Sequence, residues 1–183
     1  MNWRLAAASF LVALGTGTPV RPDSVPEPEG FRGEPYRAPV PATLTGARVI
    51  DAAEAIRLHA EGAAVFLDIL PRKARPEGLP EGTIWREPPH ETIPGALWLW
   101  NTGYQRLAPE EEARLRAGLR QARRDYPGRP VVFFCRSECW MSWNAAKRAL
   151  EWGEQNIIWF PGGIEAWEAA GGPPLTEVEP FVL

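Results

Sequence analysis

The sequence predicts an α/β fold with about five strands in one mainly parallel sheet and helices on both faces. Short apolar runs rich in β-branched and aromatic residues alternate with stretches of helical spacing between residues 47 and 170. The chain has 183 residues and is 45% hydrophobic, which is enough for one well-cored domain. Its net charge of −3 gives no electrostatic case for binding nucleic acid or an anionic membrane.

The first 17 residues have the pattern of a secretory signal peptide. Arg4 gives a positive start, residues 5–14 form an apolar run, and small residues follow at 15–17. The run is shorter than the about 20 residues that span a bilayer, and an uncleaved anchor is the alternative. We therefore expect a periplasmic protein that leaves the membrane after cleavage, in a compartment where two cysteines can form a disulfide.

Residues 18–46 form a proline-rich segment with seven prolines before Thr45. Such a run cannot be a helix or an inner strand, so we expect an extended, polyproline-like segment. Phe31 and Tyr36 are expected to fix its second half onto the domain. The domain itself is predicted at residues 47–178.

The first strand–helix–strand unit is predicted at the start of this domain. Residues 47–50 form a short strand, and Asp51 is a good N-cap for a helix over 52–61 that ends at Gly62. Residues 63–70 form a buried strand that contains a carboxylate near its end. This alternation favours a parallel sheet.

A long irregular excursion at residues 71–94 follows this strand and contains His90, one of the two histidines. Loops of this length in compact domains are usually functional or disordered. The remaining elements are predicted in this order: a short strand before residue 100, a helix over 109–126, a strand over 131–134, a helix over 141–150, a strand over 156–160 and a helix over 164–170.

The two cysteines of the chain, Cys135 and Cys139, lie on one strand–loop–helix turn. Free amide N–H groups and the helix dipole at such a place favour an anion and lower the pKa of a thiol. Cysteine is also often a small buried apolar residue, and this is the alternative for a single one. A C-x3-C pair in a chain with no other cysteine favours catalysis by both residues.

Several neighbours are candidate binding or supporting residues. Arg136 would attract an anion, whereas Glu138 would repel one and raise the pKa of the thiol. Two cysteines and a distant histidine are a poor zinc set at this spacing, so no metal is predicted. The candidate substrate-binding residues are Arg136, Ser137, Glu138, Trp140, Met141 and Ser142, and the supporting residues are Asp68 and His90.

Residues 47–175 resemble the rhodanese-like domain. The matching parts are Val65-Phe66-Leu67-Asp68, Ile93-Pro94-Gly95-Ala96, the strand that ends in Cys135, and Gly162-Gly163-Ile164-Glu165-Ala166-Trp167. The Cys-Arg-Ser-Glu-Cys-Trp loop and Tyr36-Arg37-Ala38-Pro39 resemble a narrower group, the PQQ-dependent catabolism-associated CXXCW-motif proteins. This resemblance implies a rhodanese fold and a periplasmic role beside a quinoprotein dehydrogenase system, with transient contact to PQQ or another quinone but no resident cofactor.

The loop departs from the rhodanese pattern. Glu138 and Cys139 replace its glycine-containing middle, and Trp140-Met141 stands where a basic residue would help bind thiosulfate. The related phosphatases need an arginine six positions after the cysteine, and Met141 occupies that position, so phosphatase activity is not expected. Arg72 and His90 are also displaced from their usual places.

Three kinds of function follow from these residues. In sulfur transfer, the preferred one, the Cys135 thiolate takes sulfur from a small donor as a persulfide, and Cys139 then attacks it. In the redox alternative, the pair exchanges a disulfide with a partner protein. In the binding alternative, Trp140, Trp143 and Trp98 or Trp100 line an aromatic pocket for a planar ligand. A silent interaction module remains as a further class.

Overall fold

The computed structural model describes residues 25–183, so the predicted signal peptide and the start of the proline-rich segment lie outside the described residues. The elements follow the predicted order closely. They are β1 (Arg48–Val49), α1 (Ala52–Ala60), β2 (Val65–Asp68), β3 (Glu91–Thr92), β4 (Leu97–Trp98), α2 (Pro109–Asp125), β5 (Val131–Phe134), α3 (Trp140–Glu151), β6 (Ile157–Phe160), α4 (Gly163–Ala169) and β7 (Thr176–Glu177).

Five strands form one parallel sheet in the order β1-β6-β5-β2-β4. The cysteine strand β5 lies at its centre, and every residue of β5 is fully buried. The predicted fold class is therefore confirmed. Because all five strands run in the same direction, their carboxyl ends meet at one edge, where Asp68 ends β2 and Cys135 follows β5.

Alternation along the strands divides the core between the two faces of the sheet. Leu67 and Phe133 pack in the cluster that contains the buried residues of α2 and α3, whereas Phe66 and Phe134 pack with those of α1 and α4. Cys135 comes one residue after Phe134, so it returns to the α3 face. The pleat alone thus directs this thiol into the core beneath α3.

The N-termini of α1 and α2 are fixed by capping residues. The Asp51 carboxylate accepts the N–H of Glu54 at 2.9 Å and caps α1. The Glu111 carboxylate accepts the N–H of Ala108 at 2.9 Å at the start of α2, whose first residue is Pro109.

The excursion between β2 and β4 is fixed by a short antiparallel pair that the sequence did not predict. Strand β3 lies at the end of this excursion and pairs with β7, which follows α4, so that Thr92 lies opposite Thr176. Each strand has only two residues, too few for a recognisable alternation. Across residues 25–183 no helix is both long and apolar enough to cross a bilayer.

Candidate thiol site

The loop between Cys135 and Cys139 is a tight turn from β5 into α3. Glu138 adopts a left-handed backbone with φ of 52°, and Cys139 is the N-cap residue of α3. The loop packs closely on the start of α4, where the N–H of Ile164 donates to the carbonyl of Cys135 at 3.0 Å. Gly163 makes this approach possible, because a Cβ there would lie 2.3 Å from the same carbonyl oxygen.

Cys135 is completely buried and is held as a hydrogen-bond donor. Its Sγ lies 3.2 Å from Oγ of Ser142, which accepts the Trp159 indole N–H at 3.1 Å and donates to the Cys139 carbonyl at 3.3 Å. Burial raises the pKa of Cys135 well above its ordinary value.

Cys139 has the opposite electrostatic environment. A hydrogen bond from the Cys135 thiol, followed by the backbone N–H groups of Met141 and Arg136 and the charge of Arg37, lowers its pKa to about 7. The two shifts have opposite directions, and they favour Cys139 as the more acidic of the two thiols. The sequence analysis placed the thiolate at Cys135, whereas in the structure the pleat directs Cys135 into the core and Cys139 stands at the N-terminus of α3.

The positive groups of the loop are occupied by a carboxylate that the sequence analysis did not select, Glu165 of α4. It accepts the N–H of Ser137 at 2.9 Å, and it lies 3.1 Å from Arg136 and 3.5 Å from Arg37. Burial raises the pKa of Glu165, but this N–H and the two arginines outweigh it and hold the pKa below its ordinary value.

Two predicted substrate-binding residues contact this carboxylate. Ser137 uses its N–H on Glu165 and its hydroxyl on the Gly162 carbonyl at 2.6 Å, and Arg136 pairs with the same carboxylate. The pattern Glu165-Ala166-Trp167 was visible in the sequence, but it did not show that this carboxylate reaches the loop. Glu138 is exposed and contributes only its backbone to the site.

The proline-rich segment crosses the loop beside Cys139. The N–H of Ala38 donates to the Glu138 carbonyl at 3.0 Å, and the N–H of Trp140 donates to the Tyr36 carbonyl at 2.9 Å, so Arg37 lies opposite Cys139 in an antiparallel bridge. The two sequence motifs on which the narrower resemblance depends are therefore in direct contact. As a result Cys139 is only 4% exposed.

Trp140 and Trp143 hold this segment and do not line an open pocket. They are 3% and 0% exposed, and their indole N–H groups donate to the carbonyls of Pro39 and Thr43 at 3.1 and 3.2 Å. Met141, next to them, packs against Gly103, where a Cβ would lie 2.4 Å from that of Met141. An aromatic ligand pocket at Trp140 and Trp143 is therefore a wrong expectation, since a neighbouring segment covers both rings.

The supporting residues Asp68 and His90 meet, but they do not hold the cysteine loop. The buried Asp68 carboxylate accepts the Leu70 N–H at 2.8 Å, the Thr92 hydroxyl at 2.7 Å and the His90 Nε2 at 2.7 Å. The His90 ring stacks on Trp98 at 4.1 Å. These contacts join the excursion to the end of β2.

A cavity of about 540 Å³ opens between the excursion and α4. His90 and Trp98 line one side of it, and Arg136 of the loop and Glu168 line another. Neither cysteine reaches this cavity. Within residues 25–183 no three His, Cys, Asp or Glu side chains cluster so that they could hold a metal.

These features define a parallel α/β domain with a thiol pair at the carboxyl edge of its sheet. The model of the rhodanese-like domain matches residues 51–170, which is more than half of the chain. The chain belongs to the rhodanese-like domain family.

A solved structure from Rhodopseudomonas palustris, of a protein of unknown function described as a possible tyrosine phosphatase, is similar at 23% identity. The match covers 70% of this chain and 85% of that chain with a TM-score of 0.43, which is too low to support any argument about activity. The comparison with curated proteins gave no match.

Proposed function

We propose that this protein is a dithiol redox protein in which Cys139 is the attacking thiolate and Cys135 is the resolving thiol. The observation that supports this most directly is the opposite direction of the two pKa shifts within one buried network. A thiolate with a pKa near 7 is close to the optimum for thiol–disulfide exchange. The neighbouring protonated thiol then supplies the second sulfur.

The exchange proceeds in two balanced steps. The Cys139 thiolate forms a bond to one sulfur of a partner disulfide, and the other partner sulfur leaves as a thiolate. Cys135 then attacks Sγ of Cys139 and gives its proton to the departing partner sulfur, which leaves as a thiol while the Cys135–Cys139 disulfide closes. The pair is thereby oxidised by two electrons and the partner disulfide is reduced; the reverse sequence oxidises a partner dithiol.

The electrostatics of the loop favour this exchange over reaction with an anionic sulfur donor. Thiosulfate is a dianion, and the groups that would attract it, Arg136 and the N–H of Ser137, are bound to Glu165. The arginine that a phosphatase needs six positions after its cysteine is absent for either cysteine, since Met141 stands there relative to Cys135 and Ala145 relative to Cys139. A neutral protein disulfide does not compete for these positive groups.

Persulfide-type sulfur transfer is the second candidate, because the backbone N–H groups of Met141 and Arg136 that lower the pKa of Cys139 would also stabilise a bound persulfide anion. In this reaction Cys139 takes the outer sulfur of thiosulfate and releases sulfite. Cys135 then attacks Sγ of Cys139 and releases hydrosulfide as the disulfide closes. Membership of the rhodanese-like family supports this candidate, because the same fold occurs in sulfurtransferases.

We also propose, from the resemblance of the loop and the Tyr36-Arg37-Ala38-Pro39 motif, that the protein acts in the periplasm beside a quinoprotein dehydrogenase system. Transient contact with PQQ or another quinone would then fall at the cavity beside Trp98 and His90, since Trp140 and Trp143 are covered. Quenching of tryptophan fluorescence by PQQ that is lost in Trp98→Leu but kept in Trp152→Leu would support this location; equal quenching in both variants would contradict it.

The thiol chemistry is tested by intact mass under non-reducing conditions. In a glutathione redox buffer, wild type should lose the mass of two hydrogens, Cys135→Ser should accumulate glutathione on Cys139, and Cys139→Ser should react far more slowly. Glutathione accumulating on Cys135 in Cys139→Ser, but not on Cys139 in Cys135→Ser, would refute the assigned roles. A stable gain of one sulfur atom from thiosulfate would establish the second candidate instead.

A further inference from the structure

Residues 34–40 of the proline-rich segment, here called the gate, lie across Cys139 as a short antiparallel strand. The bonds from Ala38 N–H to the Glu138 carbonyl and from Trp140 N–H to the Tyr36 carbonyl lie on either side of Arg37 and Cys139, which share no bond between them. Arg37 and Cys139 therefore form a non-hydrogen-bonded pair. In such a pair the two side chains project from the same face and are at their closest approach.

This pairing has the spacing of a disulfide. The Cα atoms of a non-hydrogen-bonded antiparallel pair are about 4.5 Å apart, and disulfides join Cα atoms separated by about 4.4 to 6.8 Å. A cysteine held in the place of Arg37 would thus be positioned to bond with Cys139 without movement of the loop. In this chain the position is occupied by an arginine that cannot react and that pairs with Glu165.

The segments on both sides of the gate anchor it to the domain. Before it, the Asn144 side chain accepts the N–H of Arg32 at 2.9 Å and donates to the Arg32 carbonyl at 2.8 Å. After it, Pro41 and Leu44 are buried. Within residues 34–40 no side chain is fully buried, although Tyr36 packs on Tyr104 and the Pro39 carbonyl accepts the Trp140 indole N–H. Lifting the gate breaks these contacts together with the backbone hydrogen bonds that an incoming strand would restore.

We propose that the substrate of the dithiol pair is a protein whose reacting cysteine lies in an extended segment, and that this segment replaces the gate on the loop. The partner cysteine takes the place of Arg37, the residue after it donates its N–H to the Glu138 carbonyl, and the residue before it accepts the N–H of Trp140. This inference rests on the proposed redox function and adds the substrate class. The gate is then an internal competitor of the substrate.

The first experiment measures whether the gate covers Cys139. In the full-length Cys135→Ser protein, where Cys139 is the only thiol, Ala38→Pro removes the N–H that bonds to Glu138. Alkylation of Cys139 by iodoacetamide should become about fivefold faster, as expected for the loss of one hydrogen bond. The matched control is Ala42→Pro, because the N–H of Ala42 has no partner among residues 25–183 and its removal should leave the rate unchanged. Equal alkylation rates in the two variants would refute the claim that residues 34–40 restrict access to Cys139.

The second experiment tests the incoming strand. A seven-residue alanine-rich peptide with one central cysteine, activated as its thionitrobenzoate disulfide, reacts with Cys139 in the same Ala38→Pro background. N-methylation of the residue after the cysteine removes the donor to Glu138 and should slow mixed-disulfide formation about fivefold, whereas N-methylation two residues further should not. Equal rates for the three peptides would overturn the strand proposal.

The outcomes separate this proposal from the proposed function. If the redox function is wrong, Cys139 still reacts with the peptide and shows the N-methyl effect, but wild type does not close its disulfide in the glutathione buffer. If the strand proposal is wrong, wild type closes its disulfide, yet the peptide reacts at the same rate with or without the methyl group.

Discussion

The Cys135 thiol is predicted to set the reactivity of Cys139, and replacing it with alanine or serine tests this. The hydrogen bond from Cys135 is the largest of the effects that lower the pKa of Cys139 from an ordinary 9.0 to about 7. Alanine removes the donor, whereas serine keeps a hydroxyl donor at the same position. Cys135→Ser is therefore the matched control for Cys135→Ala.

The size of the effect follows from the remaining contacts. The backbone N–H groups of Met141 and Arg136 and the charge of Arg37 stay in place, so about half of the shift should be lost. A rise of about one pKa unit, or about 1.4 kcal/mol, reduces the thiolate at pH 7 from about a half to about a tenth. The alkylation of Cys139 should then be about fivefold slower in Cys135→Ala.

The assay is the pH dependence of the alkylation rate in both single-thiol variants, with thiolate absorbance as an independent measure of the same ionisation. We expect the midpoint of Cys135→Ser to stay near that of wild type and the midpoint of Cys135→Ala to lie about one unit higher. Identical midpoints in the two variants would show that the hydrogen bond between the thiols does not control the pKa of Cys139.

Three further predictions concern stability. Because the folded pKa of Cys139 lies below its ordinary 9.0, its thiolate stabilises the fold fully above pH 9 and loses this effect as the pH falls through about 7. The stability of reduced wild type relative to Cys139→Ser, measured by urea unfolding, should rise by up to about 2 kcal/mol from pH 6 to pH 9; a flat difference would contradict the shift. Asn144→Ala should cost about 3 kcal/mol in urea unfolding, because it removes three hydrogen bonds to Arg32 and Gly103, and it should speed proteolysis near residue 32; wild-type cleavage rates would contradict this anchor. Gly163→Ala should lower the free energy of unfolding, measured by thermal unfolding, by about 3 kcal/mol, because the new Cβ meets the Cys135 carbonyl. The control is Gly171→Ala, which should cost about 1 kcal/mol, because Gly171 also has a left-handed backbone but a Cβ there meets no other atom. Equal costs would refute the close approach at Gly163.

The sequence by itself determined the fold class and the order of the elements. The strands β2, β5 and β6 are apolar runs that can only be stable when buried on both faces, and such runs predict a parallel sheet covered by helices. Asp51 and Pro109 similarly marked the starts of α1 and α2 through local capping chemistry. These signals lie within a few residues of the structure that they specify, and for this reason they could be read directly.

The site was only partly determined in this way. The C-x3-C spacing indicated that both thiols would lie on one strand–helix turn, whereas the assignment of the thiolate to Cys135 had no such local basis. That assignment depends on the depth of Cys135 beneath α3 and on its contact with Ser142, which also binds Trp159 of another strand. A pKa responds to burial and to every neighbour in space, so the identity of the residues along the chain does not fix it.

Only the tertiary structure decided what covers Cys139 and what occupies the positive groups of the loop. Arg37 reaches Cys139 across about a hundred residues of chain, and Glu165 reaches Ser137 from α4, beyond α3 and β6. The tryptophans that looked like a ligand pocket hold the proline-rich segment for the same reason. Contacts between segments so distant in the sequence depend on how the whole chain closes around the sheet, and no local pattern records them.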